Sequence, residues 1–120
     1  VERLLAHLDG WLDFFVRRPS AARIIQRLVA DTAVRHNNPI EFSYLVLEDM
    51  DRTLAYGIAQ KAFVPISTIT FINAVGAGII FFICNSRQVG EQRRYEPSDP
   101  ADLEAYRTLL HKLARTAVLP

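Results

Sequence analysis

Glu48, Asp49 and Asp51 stand close together in the chain, and paired carboxylates are the equipment of general acid–base chemistry. Successive positions of a helix point in different directions, however, so this cluster reads as a wet helix face. His7, His36 and His111 fall on different segments without a carboxylate or cysteine at ligand spacing, and no metal site is expected. Cys84, the single cysteine, cannot close an internal disulfide; with no adjacent cation in sequence it reads as a small buried hydrophobe. Arg17-Arg18 and Arg93-Arg94 are basic doublets without interleaved aromatics, which reads as solvated helix or loop ends. A nucleophile–base pair, a metal set and a phosphate loop are all missing from the pattern. The expectation is therefore a protein that is not an enzyme and takes no cofactor.

The composition agrees. Half of the 120 residues are hydrophobic, enough for one domain with its own core. Lys and Arg (14) nearly balance Asp and Glu (13), so no strong field is available to hold nucleic acid. Neither a metal-binding Cys/His spacing nor a secretory leader is visible, and a cytoplasmic protein is expected. The chain opens at Val1 inside an amphipathic pattern, which predicts a further segment upstream.

Five helical segments, A to E, must position whatever chemistry there is; no strand alternation persists. Segment A, about Val1 to Arg17, carries Leu4, Leu5, Leu8, Leu12 and Phe15 on one stripe, widened by Trp11 and Phe14. Arg18-Pro19 ends it. Segment B, about Ser20 to Arg35, is expected to turn Ile24, Ile25, Leu28 and Val29 inward and to pair Arg27 with Asp31. His36-Asn37-Asn38-Pro39 breaks it, and segment C follows to about Lys61 with Phe42, Leu45, Val46, Met50, Leu54 and Ile58 at helical spacing. Segment D, from Pro65 to about Asn85, is apolar on every side. Arg87 to Ser98 is a loop with Gly90 and Pro97, after which Asp99 caps, Pro100 takes the first turn and Asp102 meets the dipole of segment E.

No charge interrupts Ala62 to Ser86, and a helix from Ile66 to Cys84 would be roughly 30 Å long, the thickness of a bilayer core. A membrane span, or a scaffold built on one, is thus the alternative reading. Ser67, Thr68, Thr70 and Asn73 in its first half, and the amphipathic character of the other segments, favour burial instead: one side in its own core and the other against a second chain. Segments D and E, antiparallel and paired with the same two of a partner, would make a four-helix bundle.

Read in order, the sequence resembles the C-terminal domain of the TetR family of repressors. The cues are Phe14-Phe15-Val16-Arg17-Arg18-Pro19 closing the first helix, and Leu54-Ala55-Tyr56-Gly57-Ile58 followed by Phe63 and Pro65. To these are added Gly76 and Gly78 in the apolar helix, and Asp99-Pro100-Ala101-Asp102-Leu103 opening the last one. Where many members carry a glycine four residues after Gly57, this chain has Lys61.

The resemblance implies an all-α domain, 1–120, whose last two long helices form a homodimer. It also implies a pocket for an apolar or aromatic inducer, and a DNA-binding helix-turn-helix head upstream. Pocket candidates are Trp11, Phe14, Phe15, Ile25, Leu28, Phe42, Leu45, Met50 and Phe71, with ordinary core packing as the competing role for each. Tyr44, Asn73 and His36 would supply polar tips; the Asn73 amide needs a partner, in the core or interface first and on a ligand second. Candidate interface residues are Thr70, Ala74, Ala77, Gly78, Phe81, Leu103, Tyr106, Leu110, Leu113 and Ala117. In that scheme the inducer favours one spacing of the paired heads, and segment A links pocket to head.

Overall fold

The structure is a computed structural model that describes residues 1–35 and 41–120, with side chains at 1–31 and 47–120. The described residues are all-helical: α1 (Glu2–Arg17), α2 (Pro19–Arg35), α3 (Glu41–Ala59), α4 (Thr68–Phe71), a π-helical turn (Ile72–Gly76), α5 (Ala77–Cys84) and α6 (Pro100–Val118). A 3₁₀ turn at Glu91–Arg93 interrupts the last connection. Together α4, the π turn and α5 form the column expected of segment D, which begins at Thr68 under a Ser67 cap and leaves Pro65 outside the helix; the five-segment reading holds.

The centre of the fold is α1. Leu4, Leu8 and Leu12 recur at one-turn spacing and are fully buried, which makes this helix the spine on which the others pack. It contacts α2, α3, α5 and α6. It stops where expected, because the residue before a proline is pushed out of helical geometry. Arg18 has φ −132° and ψ 67°, and Pro19 opens α2 directly. The Arg18 guanidinium lies 5.2 Å from the Phe14 ring centre, a cation–π contact at the corner.

Segment B is turned differently from the expectation. Ala22 is fully buried and sets the inward direction of α2, which packs on α1 and α5. At about 100° per residue, Ile24 and Leu28 then fall on the far side, and they are exposed. Val29 shares the Ala22 face and is nonetheless 59% exposed, so the face closed at Ala22 is open two turns later. Arg27 and Asp31 are not among the ion pairs formed by the described residues.

Met50 and Leu54 anchor α3 in the core, and Glu48, Asp49, Asp51 and Arg52 face water. Its exit is a tight reversal. Lys61 adopts φ +58°, and the N–H groups of Ala62 and Phe63 both donate to the Gly57 carbonyl, at 2.9 and 3.0 Å. The Phe63 ring folds over Gly57 so closely that a side-chain carbon at that position would enter the ring. Lys61 thus occupies the left-handed position that a glycine favours. The Val64 N–H then bonds the Val118 carbonyl at 2.8 Å, fastening this connection to the end of α6.

The π turn answers a spacing problem. Phe71, Val75, Ile79 and Ile83 are buried at strict four-residue steps, whereas an α-helix repeats every 3.6 residues and would rotate such a row off the core. One wider turn, in which the Ala77 N–H reaches the Ile72 carbonyl, corrects part of that drift. Gly76 sits at its end under Trp11, where a side-chain carbon would stand 3.1 Å from the indole ring.

Asp99 caps α6 as expected, accepting from the Asp102 N–H at 3.2 Å. Leu110, Ala114 and Val118 face the core. Tyr95 pins the preceding loop: its hydroxyl donates to the Phe82 carbonyl at 2.6 Å. The Phe82 ring is stacked between Tyr95 and Tyr106, with centroids 4.9 and 4.1 Å away.

Candidate functional site

Two faces of the chain concentrate the sequence-derived candidates, and the structure divides each of them. On the pocket side, Met50 and Phe71 are 1% exposed and belong to the continuous core with Leu8, Leu12 and Leu54. They are packing residues. Trp11 and Phe15 are partly buried against that core, and Phe14 meets Phe15 edge to face at 5.2 Å. Ile25 is half-buried and Leu28 exposed, so Trp11, Phe14, Phe15, Ile25 and Leu28 are distributed along α1 and α2 without being enclosed. The side chains of Phe42, Tyr44 and Leu45, and all of His36, lie outside the described residues.

Asn73 does not enter the core. It is exposed, and its Nδ2 donates to the Ile69 carbonyl at 2.9 Å, so the amide finds its partner on its own helix. The spacing i to i−4 could have revealed this, since short polar side chains back-bond to the preceding turn.

On the other face, the outward side of the α4–α5 column carries Ile69, Thr70, Asn73, Ala74, Ala77 and Phe81, all exposed, with Phe81 at 60%. Gly78 is half-buried beneath the Tyr106 hydroxyl, which would stand 3.0 Å from a side-chain carbon there. On α6 the expected stripe splits. Leu110 is buried; Leu103, Tyr106 and Ala117 pack partly against the core; Leu113 is exposed, and so is Leu109, an apolar neighbour of the stripe outside the candidate interface residues. The angular reason is simple. Leu110, Ala114 and Val118 define the inward direction, and Leu109 lies about 100° from Leu110, on the flank nearer Tyr106 and therefore nearer α5.

The opposite flank of α6 is bound to α1 by charge. Arg107 donates to Asp9 at 2.8 Å, Asp13 at 2.7 Å and Glu104 at 3.0 Å. His111 Nε2 lies 2.7 Å from the same Asp9 oxygen, a pairing across the fold that no sequence spacing announces. Burial opposes the Arg107 charge, but the hydrogen bonds donated to Asp13, Asp9 and Glu104 outweigh it and hold the guanidinium above its ordinary value. His7 Nε2, also on α1, is buried without a partner.

Of the remaining reactive groups, Cys84 is half-buried; burial raises its pKa, and Arg23 pulls the other way, a cation that sequence adjacency did not reveal. Burial, reinforced by Tyr95, pushes the Tyr106 hydroxyl up to about 12. No group of three or more metal-ligating side chains gathers among the described residues, and Asp49 is engaged with Arg52. No helix among them is long and apolar enough to cross a membrane.

The overall dimensions bear on the outward face. The chain measures 46 × 39 × 20 Å, a slab about two helices thick. Its radius of gyration is 15.2 Å, where a compact domain of this length has about 13.6 Å. Its surface of 8136 Å² exceeds by roughly 1,600 Å² the ~6,500 Å² usual for its mass. Comparison of the chain with family models, with curated proteins and with solved structures finds no match to any of them.

Proposed function

We propose that this chain is the effector-binding and dimerisation domain of a ligand-responsive repressor of the TetR type, working in the cytoplasm. The observation that carries the reading is the apolar outer face, Ile69, Ala74, Ala77 and Phe81 on the α4–α5 column beside Leu109 and Leu113 on α6. An outward row of this kind on a flat, surface-rich monomer fits a second copy, which would bury it as a four-helix bundle. The excess surface is about twice the ~800 Å² that one partner contributes to a standard interface, room enough for such a face.

The effector in this reading is an apolar or aromatic small molecule held between α1 and α2. Trp11, Phe14 and Phe15 offer aromatic edges, and Ile25 on α2 is half-buried. DNA contact belongs to a helix-turn-helix head outside these residues, in keeping with a net charge of +1. The ionic tie from Asp9 and Asp13 to Arg107 would make α1 follow α6, so that a ligand shifting α1 is felt at the paired helices.

Sedimentation of the chain at micromolar concentration, without detergent, tests the core of the proposal. A reversible dimer is expected; a monomer throughout the range overturns it. A thermal-shift screen against apolar and aromatic compounds tests the effector. A ligand at a hundred times its Kd adds about 2.7 kcal/mol. Failure of a broad library to stabilise the chain removes the pocket from the proposal.

A further inference from the structure

Where the end of α1, the start of α2 and the α5–α6 connection meet, there is a cavity of about 170 Å³. Arg23 and Arg87 both line it, and neither takes part in the ion pairs formed by the described residues. Ser86 lines it while only 9% exposed, which places a polar side chain almost wholly out of solvent at the cavity wall. Val16, Ile83 and Pro97 supply an apolar lining, and the last two are buried. The one carboxylate in the wall is Glu96, which accepts from the Ser98 hydroxyl at 3.1 Å.

We propose that this cavity binds a small monocarboxylate, the carboxyl group lying between Arg23 and Arg87 and the hydrocarbon against Val16, Ile83 and Pro97. Two planar forks suit the two oxygens of a carboxylate, and Ser86 adds a hydroxyl to the same wall. Charge balance selects the valence. Two guanidiniums against one carboxylate leave a wall of net +1, matched by a monoanion, whereas a dianionic phosphate would meet Glu96 with excess negative charge. The volume equals five or six waters at ~30 Å³ each, room for a head and a few carbons. A wider hollow shares Arg87 and Glu96 with the cavity, but Arg94, Asp99 and Asp102 in its wall make it too charged for a hydrocarbon tail. This site lies at the α1–α2 corner, is lined by none of the proposed effector contacts Trp11, Phe14, Phe15 and Ile25, and does not depend on the repressor reading.

The test is a titration of the whole chain, followed by backbone amide NMR, with sodium hexanoate, hexanol, hexylammonium chloride and inorganic phosphate. Hexanoate is expected to shift the amides of Arg23, Ser86, Arg87 and Ser98 in a saturable way and to bind at least tenfold more tightly than the other three. Arg23→Gln and Arg87→Gln, both at exposed positions and expected to fold normally, should each weaken hexanoate about tenfold. Arg94→Gln, at the wider hollow only, should leave it unchanged. Equal binding of hexanol or phosphate, shifts scattered over other residues, or full affinity in both glutamine variants would overturn the proposal.

Discussion

Replacing Phe81 by glutamate tests the proposed dimer at its most prominent side chain. A phenylalanine can bury roughly 200 Å², and Phe81 is 60% exposed, so about 120 Å² is available to a partner. At ~25 cal/mol per Å² that is about 3 kcal/mol per protomer and about 6 kcal/mol for the symmetric pair. Ordering and imperfect burial reduce it, and about half is a realistic yield, close to a hundredfold in the dimer Kd. The monomer should scarcely notice, because exposed substitutions stay within ~0.5 kcal/mol. Sedimentation equilibrium over a concentration series, with thermal melts of the dilute monomer, separates the two effects. Gln92→Glu adds the same charge on the loop and serves as the control. If Phe81→Glu leaves the dimer Kd within twofold of the parent, or if Gln92→Glu weakens it equally, the outer face is not the interface.

Other consequences follow from single contacts. Lys61→Gly should stabilise the chain by about 1 kcal/mol in chemical denaturation, since it removes the left-handed penalty at φ +58°. Gly57→Ala should cost 1–3 kcal/mol or more, roughly, by forcing the buried Phe63 ring aside. Arg107→Met leaves Asp9 and Asp13 without their shared partner; both carboxylates are partly solvated, so about 1–2 kcal/mol should be lost in urea unfolding, together with amide-exchange protection along α1. In a spectrophotometric titration one tyrosine, Tyr106, should ionise near 12, well after an ordinary phenol. Because its folded pKa is raised, the native state keeps its proton longer than the unfolded chain. Its contribution is therefore complete below about pH 10 and lost as pH rises towards 12.

Helix existence and helix ends were legible from residues alone because the forces behind them are local. Arg18-Pro19 divides α1 from α2 through the steric demand of proline, and Asp99-Pro100 opens α6 through a cap and a fixed φ. The leucine stripe of α1 was visible for the same reason: its period is that of the helix itself. Which side of a helix faces inward was harder, and α2 shows why. Its direction is set by Ala22 meeting α1 and α5, and a small residue carries little weight in a hydrophobic pattern beside Ile24 and Leu28. Leu109 and Leu110 pose the same problem, since two adjacent leucines look alike until a neighbour chooses one. The π turn, the Phe82 stack and the tie from Arg107 to Asp9 and Asp13 join residues by geometry across the fold. The amino-acid sequence by itself thus determined an all-helical chain and its punctuation. Only the tertiary structure decided which apolar face is left outward, because exposure is a property of how helices pack against one another.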